Sequence, residues 1–137
     1  MTAVLRVSGP NLDLDACLGW LAEDRLEQAW RSGEIDRRGR VNSDSGFCLL
    51  LSDSEEKSQV VQEAAKEFAR VAEQVGVLIR DGASGEIDFA LFVYAAQMAS
   101  IALEPTVLQE IGRYGVAIVV SAYPCAEEDE DEDEDED

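Results

Sequence analysis

The chain has 137 residues, 30 of them acidic and 11 basic, with no histidine and a formal net charge of −19. Glu127 to Asp137 are all carboxylates, which leaves 19 acids against 11 bases, or −8, over residues 1–126. Hydrophobic residues make up 46%, enough apolar surface for a core, which excludes global disorder. A length in this range favours one domain, and the expectation is a globular α+β domain over residues 1–124 followed by a Glu/Asp tail over 125–137.

Composition also narrows the setting. Strong negative charge disfavours direct contact with nucleic acid or an anionic membrane, whose phosphates repel it. It suits a basic protein partner, or simple solubility. No apolar stretch approaches the roughly 20 residues that span a bilayer. The opening MTAVLRVSG lacks a basic region followed by a long apolar run, so no signal peptide is expected. Cys17, Cys48 and Cys125 are odd in number and lack metal-ligand spacing, which fits a reduced, cytoplasmic compartment.

In chain order, Ala3–Ser8 alternates as a strand with Leu5 and Val7 inward, and Gly9-Pro10-Asn11 is a turn signal. Leu14, Cys17, Leu18 and Leu21 then follow helical spacing behind Asp13 as a cap. Gly19 weakens that helix by about 1 kcal/mol and keeps it short. Leu26, Gln28 and Trp30 read either as one face of a short strand or as a helical turn. With a strand there, residues 34–45 form a long hairpin loop containing Arg37, Arg38 and Arg40, long enough to suspect a use. Gly46–Leu51 is a central strand. A long amphipathic helix begins at Asp53 or Ser54 and stops at Gly82, with Val61, Ala64, Phe68, Val71 and Val75 on its apolar face. Glu86–Ala95 is a strand with Ile87, Phe89, Leu91 and Val93 on one face. Phe92 and Tyr94 are on the other, which reads as partly covered. Ile101–Leu103 is a candidate extension of the sheet. Pro105 opens a last helix ending near Gly115, and Val116–Tyr123 is a strand that Pro124 stops.

With the Trp30 strand, the first six elements have the βαββαβ order of a ferredoxin-like unit, extended by one helix and one strand. The sheet is expected to be mainly antiparallel with its helices on one face. Without that strand an α/β sheet is the alternative.

The inventory of reactive groups is short. Absence of histidine removes the commonest general base and every Ser-His or Cys-His device. Lys57 and Lys66 are the only lysines, and no phosphate-binding glycine loop precedes a helix. The residues point to no catalytic group, no metal and no cofactor. Trp30-Arg31-Ser32-Gly33-Glu34 is the most individual short motif. Structurally, Trp30 supplies core area, Gly33 a turn and Arg31 a surface ion pair with Glu34. Functionally, Trp and Arg are the types enriched at binding hot spots, so Trp30, Arg31 and Glu34 are candidate contacts. The acidic tail is low-complexity and expected to be disordered when free. It is either a solvating appendage or a steering element for a basic surface, a nucleic-acid mimic, or a mask folded back on Arg31, Arg37, Arg38 and Arg40.

LRVSGPNLDLDACLGWL, AWRSGE, GFCLLL, IDFALFVYA and SIALEPTVLQEIGRYGVAIVVSAY, in that succession over roughly residues 3–123, resemble the bacterial domain-of-unknown-function 4279 family. The resemblance implies a small cytoplasmic bacterial domain, and some members resemble immunity proteins encoded beside polymorphic toxins. It supplies no catalytic residues. The expectation it adds is an immunity-type inhibitor, monomeric or homodimeric, that occludes a basic toxin or effector domain. Carboxylates of the body (Glu55, Glu56, Glu63 and Glu67) and of the tail (Glu127, Glu128, Asp129, Glu130 and Asp131) would meet that partner. The alternative is a regulatory or small-ligand-binding α+β module.

Overall fold

A computed structural model describes residues 1–94 and 98–125. The acidic run from Glu127 onward and the expected strand end at Ala95 lie outside the described residues. The elements are β1 (Thr2–Gly9), α1 (Leu14–Leu18), a 3-10 turn (Glu23–Arg25), β2 (Leu26–Trp30), β3 (Ser45–Asp53), α2 (Lys57–Arg80), β4 (Ser84–Tyr94), α3 (Pro105–Gly112) and β5 (Ala117–Cys125). They form an α+β fold around one five-stranded sheet of order β2-β3-β1-β4-β5. Every neighbouring pair is antiparallel except β4 and β5, which run parallel.

Local chemistry accounts for the element ends. Asp13 caps α1 by accepting the Ala16 N–H at 3.2 Å, and Gly19 closes the helix after little more than a turn. Of the two readings open for Leu26, Gln28 and Trp30, the fold adopts the strand; the helical turn falls just before it, where a 3-10 turn at Glu23–Arg25 delivers the chain directly into β2. The long helix begins at Lys57, three residues later than Ser54. Ser54 and Met1 exchange two hydrogen bonds of 3.0 and 3.2 Å, which prolong the β1–β3 pairing past Asp53. At its far end, Gly82 (φ +108°) lets the Ala83 and Gly82 N–H groups reach the carbonyls of Leu78 and Ile79, both at 3.0 Å. That pattern satisfies carbonyls the helix would otherwise leave open.

The helices lie on one side of the sheet. Ala3, Leu5 and Val7 of β1, Phe47, Leu49 and Leu51 of β3, and Ile87, Phe89 and Leu91 of β4 form a single buried cluster with the helical residues. α2 contributes Val60, Val61, Ala64, Phe68, Val71, Ala72 and Val75 to it, a stripe at three- and four-residue spacing. Phe68 meets Tyr114 edge-on, with ring centroids 5.9 Å apart, where α2 passes the end of α3.

Two readings of the sequence are corrected here. Ile101–Leu103 forms no strand; Ile101 and Leu103 pack against the core from the segment before α3. Pro124 does not stop β5, which continues to Cys125 with Pro124 opposite Val93. β5 is an edge strand, where a missing backbone N–H can face away from the sheet. No helix among the described residues is long and apolar enough to cross a membrane.

Candidate interaction surface

The sheet face opposite the helices carries no covering element among the described residues. Period-2 alternation decides what it displays. Thr2, Val4, Arg6 and Ser8 of β1 point away from the core, and the antiparallel register sets Cys48 beside Arg6 and Gly46 beside Ser8. On the other flank, Glu86 and Asp88 of β4 pair with Arg6 and Val4. Beyond them Phe92 lies opposite Tyr123 of β5, with ring centroids 6.1 Å apart. Both aromatic side chains are about half exposed (46% and 49%). Phe92 and Tyr94 are thus covered only in part, as expected, and no helix among the described residues crosses this side.

Arg6, Cys48, Glu86, Asp88, Phe92 and Tyr123 are among the residues that line a shallow concavity of about 540 Å³. Its floor is polar and charged. Arg6 Nε donates to Cys48 Sγ at 3.4 Å, and that thiol faces Gln28 Oε1 at 3.9 Å. The Cys48 sulfur first, then the carboxylates of Glu86 and Asp88, hold the Arg6 guanidinium above its ordinary pKa against an opposing effect of burial. A break in the β2–β3 register between Leu26 and Gln28 brings Glu27 to the lining together with Gln28. The concavity therefore holds three carboxylates (Glu27, Glu86 and Asp88) against one guanidinium. Asp88 Oδ1 is shielded from solvent and has no hydrogen-bond partner. An acceptor in that position is costly unless a donor reaches it.

Trp30 closes the β2 end of this face. Its Nε1 donates to Asp44 Oδ1 at 3.0 Å, and its ring lies across Gly46. A Cβ at residue 46 would stand 2.5 Å from both Trp30 Cζ2 and the Val7 carbonyl oxygen, so only glycine fits there. Arg31 pairs with Asp15 beside α1, not with Glu34, and that hydrogen-bonded carboxylate raises the Arg31 pKa. The backbone of Glu34 is used instead to close the hairpin, accepting the Asn42 N–H at 2.8 Å. The hairpin between β2 and β3 is tighter than an open loop. Ile35 bridges Val41, and Asp36 Oδ1 accepts the N–H groups of Arg38 and Arg40 at 2.8 and 2.9 Å. Arg37, Arg38 and Arg40 are displayed on that turn.

The α2 carboxylates occupy the opposite layer. Glu55 and Glu56 are exposed just before the helix. Glu63 Oε2 accepts the buried Ser52 hydroxyl at 2.8 Å. Glu67 bridges Arg25 and Arg70, with N–O distances of 3.6 and 3.7 Å. Arg25 also donates to the carbonyls of Leu50 and Leu51, at 3.3 and 2.9 Å, where the β1–β3 register slips. Thus Trp30 and Glu34 lie with the open face and its hairpin, while the α2 carboxylates lie behind the sheet. Glu127, Glu128, Asp129, Glu130 and Asp131 are outside the described residues.

Arg6, Gln28, Cys48, Glu86, Asp88 and Tyr123 were not singled out by motif reading. Their signal is the polar half of the alternation: Arg6 and Ser8 between apolar neighbours, then Glu86 and Asp88 interleaved with Ile87 and Phe89. Among the described residues no group of three or more Cys, Asp or Glu side chains is placed to hold a metal ion. Comparison of the chain with protein-family models, with curated proteins and with solved structures finds no match.

Proposed function

We propose that this chain is a non-enzymatic binding protein of the immunity type, which captures a basic protein partner on the helix-free face of its sheet and occludes it. The observation that carries the reading is the concavity around Asp88. It is an acidic hollow in which three carboxylates face one guanidinium, rimmed by Phe92 and Tyr123. An arginine or lysine side chain of a partner would be drawn to the carboxylates of Glu27, Glu86 and Asp88, and the aromatic rims suit the flat face of a guanidinium. The net charge of −8 on residues 1–126 and the eleven carboxylates beyond favour a basic partner at long range. On the same reading, β1 to β4 and the helices between them form a ferredoxin-like unit extended by α3 and β5. The resemblance to the domain-of-unknown-function 4279 family belongs to this proposal, as does a cytoplasmic bacterial setting.

The test is affinity capture on the immobilised full chain at low salt from its native host, beside an Asp88→Lys variant. A basic protein should be retained by the native chain, released by salt and lost from the variant. Expressed alone, the captured protein should arrest growth, and co-expression with the native chain should restore it. Equal capture by both chains, or no basic protein, would overturn the reading. The size of the concavity supports a second reading, a module for a small cationic ligand, because volumes of roughly 300–1,000 Å³ are typical of ligand pockets.

A further inference from the structure

The two edges of the sheet are guarded differently. An edge strand presents unpaired backbone N–H and C=O groups, and natural sheets blunt such edges with charge, bulges, short strands or a covering element. β2 follows that rule: it has five residues, a broken register and Glu27 within it. β5 does not. Among the described residues it pairs only with β4, over nine residues from Glu86↔Ala117 to Tyr94↔Cys125 without irregularity. No charged residue occurs between Val116 and Cys125. Its margin is apolar on both faces: Val120 is 48% exposed on the helix side, and Tyr123 is open on the other. An added strand would meet apolar cross-strand neighbours above and below the sheet.

Charge selects the occupant. Only Ala126 separates Cys125, the last residue of β5, from the carboxylates of Glu127 to Asp137 in the sequence. A second copy would bring its own −19 to the same place, whereas a cationic segment would be drawn there. We infer that the β5 edge binds an extended segment of the basic partner by strand addition, with the segment's positive charges flanking its strand at the Cys125 end. Antiparallel pairing is slightly the more stable arrangement. It sets the N-terminus of the incoming strand beside Cys125, so the basic block precedes the alternating apolar residues in the partner's sequence. Main-chain bonds then supply affinity, alternate side chains supply register, and the polyanion speeds encounter. The inference rests on the basic-partner reading above and specifies the form of the partner's segment.

Two synthetic peptides of the same composition test it on the full chain, one with a block of lysine and arginine before a Thr/Val strand and one with the order reversed. Binding is measured by fluorescence anisotropy at low and high salt, and amide hydrogen exchange locates the contact. The basic-first peptide should bind at least tenfold tighter than the reversed one. It should protect the β5 amides and lose at least tenfold on Val120→Lys, a change at an already exposed side chain. Removing residues 127–137 should flatten the salt dependence of the association rate. Equal binding of the two peptides, failure of both to bind, or binding without β5 protection would overturn the inference. So would β5 amides already protected in a dimer of the free chain, which would make a second copy the occupant. A captured basic protein that depends on Asp88 but leaves the β5 amides unprotected would refute the edge and keep the basic-partner reading.

Discussion

The two faces of the sheet are made by the same strands and do opposite work. Leu5 and Arg6 are adjacent in sequence, yet Leu5 is fully buried under the helices while Arg6 lies on the uncovered side against Cys48, Glu86 and Asp88. On the helix side, among the described residues, nearly every buried side chain is apolar, and the two buried polar residues are matched, Ser52 by Glu63 and Ser45 by the Ser32 N–H. On the open side charged and polar groups stand among apolar ones, and one shielded oxygen, Asp88 Oδ1, has no partner. Stability is therefore concentrated on one face, which leaves the other free to carry groups chosen for something else. A core face that is already complete tolerates an uncovered face of almost any composition, and an antiparallel sheet needs only one face packed.

The largest effect should come from breaking the helix-side face. Phe89→Ala, at a fully buried position, should cost about 3–5 kcal/mol in urea unfolding. Val4→Ala, one strand away on the open face, should cost about 1 kcal/mol or less. Similar losses at the two positions would mean that the open face is a second core, covered by something beyond the described residues.

That asymmetry also explains what could be read from the sequence. Leu5, Val7, Ile87, Phe89 and the α2 stripe were legible because burial leaves a periodic apolar trace. β2 was legible only as a choice, since its buried area is small and a 3-10 turn runs straight into it. The candidate surface was scarcely legible at all. Arg6, Cys48 and Asp88 come from three strands whose order, β3-β1-β4, does not follow the chain. Alternation shows that such residues face outward but not which of them become neighbours. Arg31 shows the same limit: the spacing suggested Glu34 as its partner, and the fold brings Asp15 from α1.

A smaller effect separates structural carboxylates from available ones. The Ser52 hydroxyl is buried, and its proton goes to Glu63. Glu63→Ala strands that donor and should cost about 1–3 kcal/mol, whereas Glu63→Gln keeps an acceptor and should recover most of it. Glu55→Ala, on an exposed side chain before α2, should stay within about 0.5 kcal/mol. Parallel denaturation curves of the three variants decide the point. If Glu63→Ala were as mild as Glu55→Ala, α2 would present Glu63 outward and the helix side would regain a claim to partner contact.

Cys17 offers a pH-dependent form of the contrast. Burial, with the Asp13 carboxylate adding to it, pushes its thiol above the ordinary value, so the neutral form is the one the fold accommodates. In the unfolded chain the thiol ionises near about 8.5. Below that pH both states hold the proton and the contribution is fully present. As pH rises toward the higher folded value, the unfolded state loses its proton first and stability falls. The native chain should therefore lose stability above about pH 8.5 more steeply than Cys17→Ala, although the variant is less stable at neutral pH. Parallel slopes in thermal melts would show that the thiol is not held neutral by the core.

The smallest stability change should accompany the largest functional one, at Asp88. Truncating a residue that leaves an acceptor unmatched removes a penalty as well as an attraction to Arg6, so Asp88→Ala should unfold within about 0.5 kcal/mol of the native chain. Capture of a basic protein should nevertheless fall at least tenfold on the proposed reading, because the hollow loses one of its three carboxylates. If Asp88→Ala instead unfolded readily, the carboxylate would be a structural brace for Arg6, and the open face would be one more piece of scaffold. Unchanged stability with lost capture would mean that the face without helices keeps the Asp88 charge for another molecule and not for the fold.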